Sequence, residues 1–230
     1  MRAVILAGAK GTRLHPYTEK IPKPLVSIGG GETILSIIMR QLSGCGFDHV
    51  TLAVNHLAKS IIEYIGDGSP WGVRADYYIE HKPLGTIAPL TLIPDLPDSF
   101  LAVNGDTLTD LHYGAFLRDH IHRHAEISVA VKRRDVKTDF GVLTINRNKK
   151  LAGFEEKPIH TSLVAMGVNC FSKKVIDRIP PDMPYGFDNL MHDSLAQHKE
   201  VFVHEHKNFW LDVGRPEDYH YAVEHYQEIK

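Results

Sequence analysis

The stretch AVILAGAKGTRLHPYTEKIPKPL, residues 3–25, decides the fold because it joins a short apolar strand to a glycine-rich turn. Residues 3–6 form a compact apolar run of the kind that a parallel sheet buries on both faces. Gly8 and Gly11 follow, and glycine lets backbone N–H groups approach an anion closely. The cations of the turn and of the loop behind it include Lys10, Arg13 and Lys23. These features together indicate an anion site, whereas the glycines alone would fit an ordinary tight turn.

The composition limits the classes of protein to which the chain can belong. The chain has 230 residues, of which 43% are hydrophobic and 23% charged, as in an ordinary globular domain with a sizeable core. Its formal net charge of −2 gives no general attraction to nucleic acid, so any anion site must be a local group of cations. Two distant cysteines, Cys45 and Cys170, are typical of reduced thiols. The chain has no apolar run of membrane-spanning length, and we expect a cytoplasmic protein that binds neither nucleic acid nor membrane.

The order of predicted elements favours a single α/β domain over residues 1–230. Strand and helix patterns alternate through the first half, which is typical of βαβ units and a Rossmann-like, mostly parallel sheet. In this half we expect helices over residues 33–42 and within residues 83–96, and a strand-like run over residues 99–110. The second half is richer in strands, including a hairpin that turns at residues 146–149 and a strand over residues 164–172, and it ends in a helix over residues 215–230. In parallel sheets ligands collect at the carboxyl ends of the strands. Both the opening turn and the sequence Asn104-Gly105-Asp106 fall at such ends.

Short motifs in the chain, taken in order, resemble those of the sugar-1-phosphate nucleotidylyltransferases, also called nucleotide-sugar pyrophosphorylases. The resemblance covers nearly the whole chain and is strongest to the compact guanylyltransferase-like branch. The motifs are LAGAKGTRL (6–14), PKP (22–24), GDGSPWG (66–72), PLGT (83–86), NGD (104–106), FGV (140–142), FEEKP (154–158), MGVNCF (166–171) and WLDVGRPEDY (210–219). The resemblance implies a GT-A-like nucleotidyltransferase fold, in which residues 1–110 bind the nucleotide and residues 111–230 the sugar phosphate.

The resemblance also implies a site for a nucleoside triphosphate. Arg13 and Lys23 would contact the phosphates, and a guanidinium suits this role because it donates in a planar fork. A solvated surface lysine is the alternative for Lys23, but prolines flank it on both sides. The residues implied to hold the nucleotide are Leu6, Gly8, Gly11, Thr12, Arg13 and Lys23 around the triphosphate, and Pro83, Gly85 and Thr86 beside the nucleobase and ribose. Ala9 and residues 87–89 depart from the family pattern, which leaves base choice open.

Two carboxylates match the metal-binding aspartates of the family. Asp106 and Asp212 are the hard oxygen ligands that Mg²⁺ prefers, although a turn or cap aspartate is the plain alternative for Asp106. The sugar phosphate would be held by four further residues: Gly141, Glu156, Lys157 and Asn169. Alternation along a strand would send Glu156 and Lys157 to opposite faces, so they are unsuited to forming a mere salt bridge with each other.

The implied reaction moves a nucleoside monophosphate from a nucleoside triphosphate, with GTP favoured, to a sugar 1-phosphate or a cyclitol phosphate. Its catalytic residues would be Arg13, Lys23, Asp106, Lys157 and Asp212, with Mg²⁺ as cofactor. A uridylyl- or thymidylyltransferase acting on glucose 1-phosphate is the nearest alternative. A GT-A glycosyltransferase would normally carry Asp-x-Asp where this chain has Asn-Gly-Asp, and a non-catalytic sensor of nucleotide-sugars would lack some of the charged residues. The chain ends soon after WLDVG, so we expect no acyltransferase domain. The formation of a homo-oligomer is left open.

Overall fold

The structure is a computed structural model that describes residues 1–181 and 183–225. Its strands are β1 (Arg2–Ala7), β2 (Ser27–Gly29), β3 (Glu32–Thr33), β4 (His49–Val54), β5 (Arg74–Ile79), β6 (Ser99–Asn104), β7 (Thr107–Thr109), β8 (Ile127–Lys137), β9 (Gly141–Ile145), β10 (Leu151–Glu156), β11 (Ile159–Ser172), β12 (Val201–His206) and β13 (Trp210–Asp212). Its α-helices are α1 (Ile34–Gly44), α2 (Ala58–Ile65), α3 (Tyr113–His122), α4 (Phe187–Ala196) and α5 (Pro216–Glu224). In this described part, no helix is both long and apolar enough to cross a membrane.

A seven-stranded sheet in the order β12-β8-β11-β6-β1-β4-β5 forms the centre of the molecule. Strands β6, β1, β4 and β5 run parallel to one another, and β12 is parallel to β8. The long strand β11 is antiparallel to both of its neighbours, β6 and β8. The prediction of an α/β fold with a mostly parallel, Rossmann-like sheet is therefore confirmed.

The sheet separates two apolar layers, as expected for strands buried on both faces. Ala3 and Ile5 of β1 face one layer and Val4 faces the other, and all three are fully buried. Helix α1 begins where the sequence predicts, because Thr33 and Ser36 cap each other: Ser36 N donates to Thr33 Oγ1 at 3.0 Å and Thr33 N donates to Ser36 Oγ at 2.8 Å. The two layers hold the carboxyl ends of the parallel strands in a fixed arrangement.

Three predicted elements differ from the structure. The helix expected within residues 83–96 is only a 3₁₀ turn, Ala88–Leu92, in which Pro89 removes a backbone donor. The strand expected through Asp110 ends at Asn104, and the short strand β7 that follows pairs instead with β13. The predicted terminal helix is observed as α5, and the part of that prediction beyond residue 225 lies outside the described residues.

A long antiparallel extension, here called the arm, comprises residues 135–161. The ends of β8 and β11 pair beyond the central sheet, with Lys137 opposite Ile159, and the β9–β10 hairpin follows at the tip. The hairpin turns at residues 146–149 as predicted, through the hydrogen bond from Lys149 N to Asn146 O. Strand β11 starts five residues earlier than its sequence pattern suggests, because its first half is exposed and lacks a buried apolar face.

Candidate active site

One lysine and two aspartates lie together at the ends of the strands. Lys23 belongs to a short 3₁₀ turn between Pro22 and Pro24, and only 5% of its side chain is exposed. Its Nζ lies 2.5 Å from Oδ2 of Asp106 and 3.7 Å from Oδ1 of Asp212. The proposition that Lys23 is a solvated surface lysine is therefore wrong.

Backbone pairing brings the two aspartates close to each other. Asp106 lies in the turn between β6 and β7, while Asp212 is the last residue of β13. Strands β7 and β13 pair with Asp212 opposite Thr107, and Val213 N donates to Asp106 O at 3.1 Å. The carboxylates are thus placed by hydrogen bonds between segments about a hundred residues apart in sequence.

The charges of this group oppose one another. Burial raises the pKa of Asp212, and the nearby Asp106 carboxylate raises it further, while the cations Lys23 and Arg13 lower it. Oδ1 of Asp212 is buried and accepts no hydrogen bond from the described residues. A second positive charge would therefore stabilise these carboxylates, because one ammonium group serves both of them.

The glycine-rich turn forms one wall of a cavity of about 490 Å³ that opens onto these aspartates. The predicted residues that line it are Leu6, Gly8, Arg13, Pro83, Gly85, Thr86, Asp106 and Asp212. Gly11 needs its glycine, since its φ is +66° and an added Cβ would lie 3.2 Å from Thr18 Cγ2 and Lys23 Cβ. Ala9 has no positive φ, so its methyl group is accommodated without backbone strain. Gly11 and Thr12 shape the turn without lining the cavity.

A smaller cavity of about 210 Å³ adjoins the first and shares Leu6, Thr86 and Asn104 with it. Asn169 of β11 lines this second cavity and is buried, and its Oδ1 has no hydrogen-bond partner among the described residues. A buried amide oxygen without a donor costs free energy unless a ligand supplies one. A ligand in the second cavity that donated a hydrogen bond to Asn169 Oδ1 would remove this cost.

Three of the predicted sugar-phosphate residues lie on the arm. Gly141, Glu156 and Lys157 are exposed on the arm, and they are not among the residues that line either cavity. The ring of Phe154 covers Gly141, where an added Cβ would lie 2.6 Å from Phe154 Cε2. The expected alternation of Glu156 and Lys157 along one strand is wrong, because β10 ends at Glu156 and Lys157 adopts a φ of 46°.

Sequence reasoning assigned no binding role to three polar residues that line the larger cavity: Asn55, Glu80 and Asn104. Asn55 and Glu80 directly follow the parallel strands β4 and β5, and Asn104 ends β6. Their position after an apolar strand is the signal that could have identified them. Burial raises the pKa of Glu80, and the hydrogen bond that Leu84 N donates to its Oε2 at 3.3 Å acts in the opposite direction.

A third, open cavity of about 860 Å³ is here called the basic cleft. Arg13 and Asp212 line both this cleft and the cavity of about 490 Å³. Its cations are Arg13, Lys132, Arg133, Arg134 and Arg215. Arg133 is paired with Glu205, and Lys132 donates to the backbone oxygens of residues 207 and 208. Within the described part of the chain, the guanidinium groups of Arg134 and Arg215 have no ion-pair partner.

The family follows from a comparison of the whole chain. The family model described as nucleotidyl transferase matches residues 2–229, so the chain belongs to this family. A mannose-1-phosphate guanylyltransferase catalytic subunit beta from Xenopus tropicalis is 30% identical over 227 residues, and a UTP–glucose-1-phosphate uridylyltransferase from Synechocystis is 30% identical over 243 residues. These alignments cover 95% and 97% of this chain. The chain spans 62% of the length of each relative.

Solved structures agree with the fold. HddC from Yersinia pseudotuberculosis, also solved as a complex with GMP-PN, superposes with a TM-score of 0.75 at 28% identity and covers 98% of this chain and 99% of its own. A Bacillus anthracis chain assigned provisionally as a glucose-1-phosphate thymidylyltransferase gives a TM-score of 0.80 at 22% identity and covers 100% of this chain and 96% of its own. The first likeness extends to sequence, whereas the second supports the fold alone.

Proposed function

We propose that this chain transfers a nucleoside monophosphate from a nucleoside triphosphate to a sugar 1-phosphate or a cyclitol phosphate, with release of pyrophosphate. One observation carries the proposal: a buried ammonium group lies between two carboxylates at the mouth of a glycine-walled cavity. A cavity that must hold a polyphosphate next to a second phosphate ester needs this concentration of charge. The guanylyl- and uridylyltransferases among the relatives support the same reaction class.

In the proposed reaction an oxygen of the sugar phosphate attacks the α-phosphorus of the triphosphate. The new P–O bond forms as the bond to the bridging α–β oxygen breaks, and pyrophosphate leaves with that electron pair. The obstacle is the repulsion between two polyanions, which Arg13 and Lys23 offset by donating to the phosphate oxygens. A nucleophilic side chain is not required, because the sugar phosphate is itself the nucleophile.

The residues present fit a magnesium ion. Asp106 and Asp212 offer two carboxylates, and the buried Oδ1 of Asp212 lacks a donor. Mg²⁺ commonly binds through one or two carboxylates and completes its coordination with water and substrate phosphates. Among the described residues there is no group of three or more candidate ligands of the kind that would form an all-protein metal cage. When bound, Mg²⁺ would neutralise phosphate charge and help to orient the two esters.

We propose that GTP is the donor, and Glu80 supplies the argument. Its carboxylate is buried in the cavity wall beside Pro83 and Gly85, the segment proposed to face the nucleobase. Guanine presents two adjacent donors, N1–H and the N2 amino group, and a carboxylate accepts both. Uracil and thymine present one N–H between two carbonyl oxygens, which a carboxylate repels. The acceptor would occupy the smaller cavity, where Asn169 and Asn104 can bond its hydroxyl groups.

The experiment is a substrate panel. The purified chain is incubated with Mg²⁺, each of the four ribonucleoside triphosphates or dTTP, and mannose, glucose and heptose 1-phosphates or a cyclitol phosphate, while pyrophosphate is measured. We expect release with GTP and at least one acceptor. Absence of pyrophosphate from every pair would reject the proposal, and transfer of sugar from a ready-made nucleotide-sugar would identify a glycosyltransferase instead.

Base choice is tested separately with Glu80→Gln. An amide offers one donor and one acceptor, so it loses one of the two contacts to guanine and gains one to uracil or thymine. We expect the ratio of kcat/KM for GTP to that for UTP to fall by at least about 10-fold, since leaving buried polar groups unpaired costs about 1–3 kcal/mol. Glu63→Gln, an exposed change on α2, is the matched control. An unchanged ratio would refute the role of Glu80.

A further inference from the structure

We propose that the basic cleft is a product site, which binds the pyrophosphate released by the transfer as that anion leaves the centre. The inference rests on the proposed function, because it concerns the leaving group of that reaction. Arg134 and Arg215, which line the cleft, would donate to the phosphate oxygens. Neither residue belongs to the site predicted from the sequence, and the product site would be separate from the one proposed for the triphosphate.

The first argument is the way in which the three cavities adjoin. The cavity of about 490 Å³ proposed for the triphosphate, here called the nucleotide cavity, meets the smaller cavity at Leu6, Thr86 and Asn104. It meets the basic cleft at Arg13 and Asp212. Among the described residues, none lines both the smaller cavity and the basic cleft. The nucleotide cavity thus has two neighbours, which border it through different residues.

This arrangement suits an in-line displacement, in which the attacking and leaving oxygens lie on opposite sides of the α-phosphorus. An acceptor that attacks from the smaller cavity directs pyrophosphate away from that cavity. The basic cleft shares no lining residue with the acceptor's cavity, so we assign the departure of pyrophosphate to this cleft. Arg13 lines both the nucleotide cavity and the cleft, so it can contact the anion before and after it moves.

The second argument is that two cations of the cleft are used to hold its wall. Lys132 Nζ donates to the backbone oxygens of residues 207 and 208. The guanidinium of Arg133 donates twice to the Glu205 carboxylate, at 3.1 Å and 3.3 Å. These contacts tie β8 to β12 and to the chain that follows β12. Both cations are therefore engaged by the fold itself.

Two other arginines of the cleft are available for an anion. The side chains of Arg134 and Arg215 are exposed and form no ion pair or hydrogen bond within the described part of the chain. Arg134 lies in β8 and Arg215 directly precedes α5, so the fold brings them to one cleft from distant segments. A guanidinium keeps its charge at neutral pH and donates in a planar fork that matches phosphate oxygens.

The carboxylates of the cleft leave an excess of positive charge. Five cations and three carboxylates line it, the latter being Asp212, Glu217 and Asp218. Asp218 Oδ2 accepts hydrogen bonds from Gly214 N at 3.2 Å and from Arg215 N at 2.9 Å, so this carboxylate is used at the start of α5. A concave surface with an excess of one charge attracts a ligand of the opposite charge, which here is a polyanion.

Titration calorimetry with inorganic pyrophosphate and Mg²⁺ tests the cleft without turnover. The nucleotide cavity is first filled with the unreactive analogue of GTP in which a methylene group replaces the α–β bridging oxygen. We expect wild type to bind about one pyrophosphate per chain, and Arg134→Gln and Arg215→Gln each to weaken this binding about 10-fold. Arg118→Gln changes an exposed arginine on α3 that lines none of the three cavities, so this matched control should bind as wild type does.

Steady-state kinetics show whether the two arginines act on the product alone. In Arg134→Gln and Arg215→Gln, KM for the triphosphate and for the acceptor should change less than about 3-fold, whereas the inhibition constant of added pyrophosphate should rise about 10-fold. Because both side chains are exposed, the variants should also melt at the wild-type temperature. That agreement would exclude misfolding as the cause of weaker binding.

Three results would overturn the inference. Unchanged pyrophosphate binding in both variants would mean that the arginines are merely solvated. A rise in KM for the triphosphate as large as the loss of pyrophosphate binding would make the cleft part of the triphosphate site, and a rise in KM for the acceptor would assign the arginines to the acceptor phosphate. The substrate panel decides the proposed function separately: a wild type that releases pyrophosphate there but binds none in the cleft would overturn this inference alone.

Discussion

The strand-end centre and the arm carry residues of one proposed site, yet they are built in opposite ways. At the centre, Lys23 is buried and the register of β7 and β13 fixes the carboxylates it contacts. On the arm, Glu156 and Lys157 are exposed on a two-stranded ribbon with no covering layer among the described residues. The centre is thus part of the packed interior, whereas the hairpin of the arm pairs only with itself among the described residues. A sequence motif therefore indicates the chemistry of a residue, but it does not show whether the packed centre or the exposed arm carries that residue.

The largest effect is expected at the centre. Asp106→Asn removes a proposed metal ligand and the closest anion to Lys23, so kcat/KM should fall by about 1,000-fold, equivalent to about 4 kcal/mol. Pyrophosphate release under the best substrate pair measures it. Asp119→Asn, an exposed change on α3 where Arg123 is the partner, serves as control and should retain wild-type activity. A circular dichroism spectrum like that of wild type, together with near-normal turnover, would refute the metal assignment.

A smaller effect is expected on the arm. Lys157→Met removes one charge-assisted hydrogen bond to the acceptor phosphate, so kcat/KM for the sugar phosphate should fall about 30-fold while KM for the triphosphate stays unchanged. Steady-state kinetics with each substrate varied in turn make the distinction. Lys149→Met is a close control, because both lysines lie on the arm with positive φ, 59° at Lys149 and 46° at Lys157. Equal losses in the two variants would mean that the arm tolerates neither change structurally.

The glycine-rich turn offers a contrast between neighbouring positions. Gly11→Ala forces a side chain into a left-handed conformation against Thr18, so it should cost about 1–2 kcal/mol of unfolding free energy and raise KM for the triphosphate. Ala9→Gly is free of that strain and should change KM less than about 3-fold, since it only loosens the turn. Urea unfolding and initial rates measure both. A greater loss of unfolding free energy, or a larger rise in KM, for Ala9→Gly than for Gly11→Ala would contradict this account of the turn.

The smallest effect concerns stability and pH. The pKa of Asp212 is raised in the folded state above its ordinary value of 3.8. Its contribution to stability is therefore fully present below that ordinary value and is lost as pH rises through the folded pKa. At pH 7 the ionised Asp212 carboxylate therefore destabilises the folded protein, and Asp212→Asn removes this destabilisation. Without divalent ions the variant should melt about 1–2 °C higher than wild type at pH 7. The difference is small because the side chain is 46% exposed.

The difference in melting temperature should disappear as pH falls below about 4, because the wild-type carboxyl is then protonated in both the folded and the unfolded state. Thermal melting at intervals from pH 3 to pH 8 checks the trend. Added Mg²⁺ should reverse the order at neutral pH by stabilising only the wild-type protein. A difference in melting temperature that does not depend on pH would mean that Asp212 carries no net electrostatic penalty.

The sequence predicted local features well and long-range placement less well. The first strand and helix α1 follow from apolar periodicity, and the hairpin follows from the turn at residues 146–149. The motifs brought Asp106 and Asp212 together correctly, although only the pairing of β7 with β13 explains why they meet. The arm was not foreseen as a separate body, because exposed strands show the same alternation whether or not a core lies beneath them. Glu80 was missed because a single carboxylate after a strand matches no motif.

Strand β11 contains a break that separates these two bodies. Its register with β8 shifts between Ala165 and Asn169, and Gly167 within that interval has a φ of 73°, with an added Cβ only 2.6 Å from Asn104 Nδ2. The pairing of β11 with β8 on the core side of this break therefore has its own register, which differs from the register on the arm side. Natural variation can lengthen, shorten or reshape everything distal to this joint while the packed interior keeps its alignment. Under the proposed function, the arm could therefore change to fit a different acceptor while the part proposed to bind the nucleotide keeps its fold.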